Sequence, residues 1–210
     1  MSIELVCINY GNVFDALKTI LHCVKLFPRF ERVTIFHPDP TIRALSFGDI
    51  PLTIVESKSL TQNECCMYEM PGYVECDHVM GVQWDGFIVN PDAWTDEFLE
   101  YDYIAPPWPL TNIVNPKWRV GSGGFLLASR KMVKLWPTLC APHPFPNDWS
   151  TGAVHRDRFE AAGMKFAPIE LAARFGEEIP LEDYPKVPHF GFHGFQYGDH
   201  AKYKKMLYGE

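Results

Sequence analysis

Val79–Pro91 reads VMGVQWDGFIVNP. A short apolar run ends at an acid, Asp85, and a glycine, Gly86, follows directly. Short apolar runs bounded by turn residues are what strands inside a sheet look like. The run predicts a strand over His78–Trp84 that delivers one carboxylate to the edge of a sheet. In open α/β sheets, ligands bind beyond the carboxyl ends of the strands. Asp85 is therefore the candidate centre of an active site. An acid after a strand more commonly serves a turn or a helix cap, so its weight depends on what gathers around it.

Upstream, Ile3–Asn9 (IELVCIN) is a β-rich run, and Tyr10-Gly11-Asn12 follows as a turn. Asn12 can cap a helix carrying Phe14, Leu17, Ile20, Leu21 and Val24 at helical spacing, ended by Pro28. Val33–Phe36 and Leu52–Val55 read as further strands, and Thr61–Met70 as a helix capped by Thr61 or Asn63. This β-α-β-β opening predicts an α/β domain with a mixed, mostly parallel central sheet flanked by helices. Asn9 and Tyr10, like Asp85, end a strand and are expected at the same cleft.

Downstream, Pro91–Glu100 reads as a short helix with Trp94, Phe98 and Leu99 inward, and Tyr101–Ile104 as a brief strand. Gly121-Ser122-Gly123-Gly124 precedes the strand Phe125–Ala128, and a helix is expected around Arg130–Trp136. Pro137–Pro146 reads as a loop. Ser150 or Thr151 can cap a helix through Ala162, with Val154, Phe159 and Ala162 inward, closed by Gly163. Lys165–Pro168 reads as a short strand, and Ile169–Phe175 as helical or irregular. Phe190–Gly194 (FGFHG) is strand-like, and the last residues form a short helix or tail.

The chain has 210 residues, enough for one domain, residues 1–210, with a sizeable core. Its net charge of -7 argues against broad binding to a polyanion, which needs a basic face. The six cysteines show no CxxC pair and no zinc-ribbon spacing, so they read as reduced thiols in a cytoplasmic setting, of a bacterium or of a host cell if the gene is phage-borne. No run approaches the roughly 20 apolar residues of a membrane span, and Met1–Asn12 lacks the features of a secretory signal.

The glycines of 121–124 match neither GxGxxG nor a phosphate loop, which would need GK[ST]. Glycines before a strand let a ligand or another backbone approach closely. GxSxG is absent, which removes the usual serine-hydrolase turn. Asp148, near a helix start, is either a cap or a general base at a cleft edge. His193, between glycines, is either a structural histidine or a metal ligand. Tryptophans flank the polar clusters. Trp108 and Trp149 are candidates for the platform on which an acceptor sugar or base rests.

Taken together, QWDG, NPDAW, YDYIAPPW, VGSGGFLLASR, ND, GMKFAP, AARFGEE and FGFHG, in this order, resemble a family of glycosyltransferase-like proteins long catalogued as a domain of unknown function. Its fold is the nucleotide-diphospho-sugar transferase fold called GT-A. The resemblance covers roughly Val74–Gly194 and, more loosely, the first strand and helix. It implies a nucleotide-binding part over about residues 1–90 and an acceptor and catalytic part over about 91–195. Asp85 matches the position of the metal-binding DxD element, although Asp85-Gly86-Phe87 has no second acid. Asn9 and Tyr10 fall where such enzymes hold base and ribose. Gly123 and Gly124 match the glycine pair lining the donor sugar. Asp148 follows Asn147 where relatives often carry a Glu-Asp pair, and it is the implied base. His193 matches a histidine that reaches the metal or the diphosphate.

The resemblance implies transfer of a sugar from a nucleotide-diphospho-sugar donor, assisted by Mn2+ or Mg2+. The acceptor would be a glycan, a small molecule or a hydroxymethylated DNA base. A non-catalytic sugar-nucleotide or glycan-binding module is the alternative, favoured by the missing second acid.

Overall fold

The computed structural model describes residues 1–39, 52–112, 115, 117–140 and 145–209. Strands β1 (Ile3–Ile8), β2 (Arg32–His37), β3 (Leu52–Glu56) and β4 (His78–Val82) open the chain. They pair in parallel in the order β3-β2-β1-β4. After β5 (Gly86–Ile88), strands β6 (Tyr103–Ile104) and β7 (Phe125–Ser129) extend the sheet beyond β4 in antiparallel sense, to give β3-β2-β1-β4-β7-β6. The mixed, mostly parallel sheet is thus as expected. Every position of β1 is buried, as in a strand covered on both faces.

The helix Val13–Leu26 packs against β1 and β5. Asn12 caps it, its side chain accepting from the Phe14 amide. Its inward face is rotated from the expected one. Ala16, Thr19, Ile20 and Cys23 are buried, while Phe14 and Leu21 are 69% and 53% exposed. Small residues let the helix lie close to the sheet, and that fit outweighs the pull of the larger apolar side chains.

The segment after Thr61 is helical, but in three short pieces. Thr61 and Glu64 form a capping box, Cys65–Glu69 widen into a π-helix, and Met70–Gly72 close as a 3-10 turn. A second π-helix, Ser150–Val154, interrupts the helix expected through Ala162, which resumes at Arg156–Ala161 with Ala162 itself exposed. Pro91–Glu100 resolves into two 3-10 turns with Phe98 and Leu99 inside. The helix Arg130–Leu139 runs through Pro137 instead of ending before it. Of the expected loop 137–146, residues 141–144 lie outside the described residues. Phe166 contributes one bridge to Tyr103 where a short strand was expected, and Ile169–Phe175 is a helix.

A three-stranded sheet, β5-β9-β8, joins β5 to β8 (Gly176–Glu177) and β9 (Gly191–His193). Phe125 of β7 stacks on Phe175 at 4.8 Å between ring centroids and meets Phe190 at 6.0 Å. Phe87 meets Phe192 edge-on at 4.8 Å. Gly191 lies so close to the Phe125 ring that any β-carbon there would overlap it. This aromatic seam fixes the small sheet against the large one.

All six cysteines are free and buried, and burial pushes the thiols of Cys7 and Cys23 up to about 12. Such thiols carry almost no thiolate at neutral pH and do not act as nucleophiles. Among the described residues, no helix is long and apolar enough to cross a membrane.

Candidate functional site

Asp85 lies in a two-residue turn rather than at the tip of an extended strand. The Gln83 amide donates to the Gly86 carbonyl at 2.9 Å, and the Gly86 amide returns a bond to Gln83 at 3.0 Å, leaving Trp84 and Asp85 as the turn. The turn links β4 in the large sheet to β5 in the small one. Asp85 therefore sits where the two sheets meet.

Pairing brings the other groups to it. Gly86 lies opposite His193 in the β5–β9 pair, and the Gly194 amide donates to the Asp85 carbonyl at 2.7 Å. Gly194 has φ 81, a left-handed conformation that glycine adopts without a side-chain clash. Val82 faces Phe125 across β4–β7, which places Gly123 and Gly124 beside the turn. Asp148, in the helical turn Asn147–Trp149, packs over Gly123. Cys7 faces Val82 in the β1–β4 pair, so Asn9-Tyr10 leaves the sheet at the same edge as Trp84-Asp85.

His193 is the hub. Its Nε2 lies 3.8 Å from Asp85 Oδ1, and its Nδ1 bonds Glu178 Oε1 at 2.7 Å. Ser122 Oγ is 3.4 Å from the same Nδ1. The ring rests where a β-carbon on Gly124 would sit and closes against Gly86 as well. Gly124→Ala should therefore force the ring out of place. We expect a loss of about 1–3 kcal/mol of stability in urea unfolding. A variant as stable as wild type with an unmoved His193 resonance would contradict this packing.

The electrostatics are those of crowded carboxylates. Burial pushes the Asp85 carboxyl above its ordinary range, against the opposing pull of His193, and Glu178 adds to the rise. Burial likewise raises Asp148. The Trp149 amide, at 2.7 Å from Asp148 Oδ1, pulls it down, and Glu178 pushes it further up. For His193, burial disfavours the charged ring. The Glu178 bond and the carboxylates of Glu178, Asp85 and Asp148 outweigh it, so the pKa ends above its ordinary value. Among the described residues, no lysine or arginine forms an ion pair with Asp85, Asp148 or Glu178. Asp85 Oδ1 is buried without a hydrogen-bond partner.

The remaining expected residues lie at the margins. The buried Asn9 side chain braces its own turn, accepting from the Gly11 amide at 3.1 Å. Tyr10 bonds the Ser57 hydroxyl and the Ser59 carbonyl, and Glu69 holds both serines. Trp108 is 6% exposed, its indole closed against Gly121 and Gly152. Trp149, 5.4 Å from it between centroids, keeps part of its surface open. Trp84, beside Asp85, is 45% exposed.

Glu178 was not singled out in the sequence. Its only local signal is the acidic pair in FGEE, which does not say which of the two glutamates faces the cleft. Glu177 turns the other way and bonds His200 Nε2 at 3.0 Å. With Asp199 these two bring ligand-type atoms within 4.8 Å of one another. There each group already has a partner, since His200 Nδ1 bonds the Gly194 carbonyl and Asp199 bonds Lys202.

A family model described as "Protein of unknown function (DUF5672)" matches residues 57–193. That stretch contains Asp85, Gly123, Gly124, Asp148, Glu178 and His193. A search of curated protein sequences found no match. Among solved structures, the chain is similar to the galactosyltransferase LgtC in complex with donor and acceptor sugar analogues. The TM-score is 0.61 and the identity 12%, over 97% of this chain and 95% of that one. It is also similar to the mannosyltransferase PcManGT from Pyrobaculum calidifontis in complex with GDP-Man and Mn2+ (TM-score 0.58, 10% identity, 88% of this chain and 57% of that one). A third is CMP:2-keto-3-deoxy-manno-octonic acid synthetase complexed with CTP (TM-score 0.51, 12% identity, 90% and 94%). At these identities the likeness is one of fold. It places the chain among GT-A-like α/β domains.

Proposed function

The chain belongs to the family described as "Protein of unknown function (DUF5672)", and from its fold and its carboxylate-lined cleft we propose that it is a glycosyltransferase. It moves a sugar from a nucleotide-diphospho-sugar to an acceptor hydroxyl. One observation carries this reading. Asp85, Asp148 and Glu178 surround a single imidazole with no lysine or arginine paired to them among the described residues, and Asp85 Oδ1 is buried without a hydrogen bond. Three carboxylates against one imidazole leave negative charge that a further cation would balance.

Asp85 and His193 would hold that cation. A carboxylate oxygen and an imidazole nitrogen are a donor set that suits Mn2+, and the oxygen suits Mg2+. When bound, a divalent ion neutralises the leaving diphosphate as a Lewis acid. Asn9 and Tyr10 receive the base and ribose, within a nucleotide-binding part of about residues 1–90. Gly123 and Gly124 line the donor sugar with bare backbone, against which Asp148 and His193 are packed. The part over about 91–195 takes the acceptor. Trp149 offers it a surface, backed by the buried Trp108.

Asp148 removes the acceptor proton as the new bond forms, which contributes on the order of 100- to 10,000-fold. A single displacement with this base inverts the anomeric centre, and product analysis showing retention would sink the assignment. The net charge of -7 favours a glycan or small-molecule hydroxyl over a hydroxymethylated base in DNA. Nucleotidyl transfer occurs on a similar sheet, but Ile8–Asn12 lacks the glycine- and lysine-rich loop it would need.

A thermal-shift screen of sugar nucleotides, with and without Mn2+, tests the reading. A donor that binds only the folded state raises the melting point. One donor should do so in a Mn2+-dependent way and release its nucleotide slowly by hydrolysis. Stabilisation without nucleotide release, with any acceptor, would leave a binding module. No stabilisation by any donor would remove the donor site.

A further inference from the structure

We infer that Glu178 is a positioning residue that sets which nitrogen of His193 faces Asp85. The inference rests on the reading of Asp85 and His193 as ligands of one cation, and it concerns how this chain prepares the imidazole for that task.

A ligating imidazole must present a lone pair, and its two nitrogens compete for one proton when the ring is neutral. Glu178 settles the competition. An ionised carboxylate only accepts hydrogen bonds. At 2.7 Å it therefore requires a proton on Nδ1. The lone pair is left on Nε2, the nitrogen 3.8 Å from Asp85 Oδ1. The ring cannot easily turn to exchange its nitrogens, because it lies against the bare backbone of Gly124 and Gly86. A carboxylate behind a ligating histidine also raises the basicity of the ligating nitrogen.

The fold places Glu178 for this role. β8 runs parallel to β9 with Glu177 opposite Phe192, so the next residue, Glu178, comes level with His193. Successive side chains along an extended chain point to opposite faces. Glu177 ties down the C-terminal segment through His200, and Glu178 is turned into the cleft. Its side chain is 13% exposed, and among the described residues it has no lysine or arginine partner. Its side-chain hydrogen bond goes to the His193 ring, which is the duty its place in the cleft points to.

Ser122 makes the inference sharp. Its hydroxyl, fully buried at 3.4 Å from Nδ1, is the other polar group on that nitrogen. Unlike a carboxylate, a hydroxyl can donate. Without Glu178, Ser122 can donate to a bare Nδ1. The proton then moves to Nε2, where it points at Asp85 Oδ1 and blocks ligation.

The test compares wild type with Glu178→Ala and the isosteric Glu178→Gln, all checked for folding by circular dichroism. Nitrogen-15 spectra of the imidazoles, without metal and at a pH where His193 is neutral, report the tautomer directly. Wild type should carry the proton on Nδ1, Glu178→Ala on Nε2. Glu178→Gln should lose the fixed preference, because its amide can accept from Nδ1 through oxygen or donate to it through nitrogen. Mn2+ titration followed by electron paramagnetic resonance should show Glu178→Ala weakened about 10- to 100-fold, with Glu178→Gln between it and wild type. An unchanged tautomer and unchanged Mn2+ affinity in Glu178→Ala would overturn the inference alone. A wild-type protein that takes up no Mn2+ overturns the cation site, and the inference with it.

Discussion

Asp85→Ala is expected to abolish sugar transfer and Mn2+-dependent nucleotide binding while leaving the fold intact. A metal ion in its Lewis-acid role supplies several kcal/mol of charge stabilisation, so removing its carboxylate ligand should cost on the order of 1,000-fold or more in turnover. Stability should move the other way. Burial raises the folded-state pKa of Asp85 above its unfolded value. Folding then favours the protonated form, and above both values the ionised group weakens the fold. Its Oδ1 has no hydrogen bond to lose, and the Gly194 amide bonds the backbone carbonyl, which alanine keeps. The melting temperature at neutral pH should be equal to or above that of wild type. Turnover at the wild-type rate in this variant would remove Asp85 from the site.

Asp148→Asn separates chemistry from binding. Asparagine preserves shape and still accepts from the Trp149 amide, but it cannot take a proton. Transfer should fall by about 100- to 10,000-fold, with the donor affinity and its Mn2+ dependence unchanged. Burial raises the Asp148 carboxyl, and Glu178 beside it adds to the rise. The acid limb of the wild-type rate profile should therefore lie above the usual aspartate range of about 3.9, because the base works only when ionised. The same sign makes the charged form costly to the fold at neutral pH, so the variant should melt no lower than wild type. Equal transfer rates for the two proteins would end the base assignment.

Much of this was legible in the chain before any tertiary contact. The runs at Ile3–Asn9, Val33–Phe36, Leu52–Val55 and His78–Trp84, with a capped helix between the first two, specify a largely parallel α/β opening. Asn12 performs its cap because capping depends on a side chain and an amide two residues apart. The same local logic fails where packing decides. Phe14 and Leu21 share the helical spacing of Ile20 yet face outward, because the sheet accepts Ala16 and Thr19 instead. Trp108 flanks a polar cluster in sequence but is sealed by Gly121 and Gly152 in space. The two π-helical segments have no periodic signature of their own, since each adds a single residue to a turn.

The fold class, the acid in the turn after the fourth strand and the glycines ahead of the seventh could be read from the chain alone. Each follows from residues close along the chain, whose hydrophobic period and turn chemistry are local properties. That Asp85, Asp148, Glu178 and His193 form one cluster is a product of tertiary packing. That outcome depends on the register of β5 on β9, whose partners are about 100 positions apart, and on that of β8 on β9, which pairs Glu177 with Phe192. A shift of one residue would send Glu177 toward the cleft in place of Glu178. The Phe125, Phe175 and Phe190 packing that holds those registers is likewise a property of the assembled core.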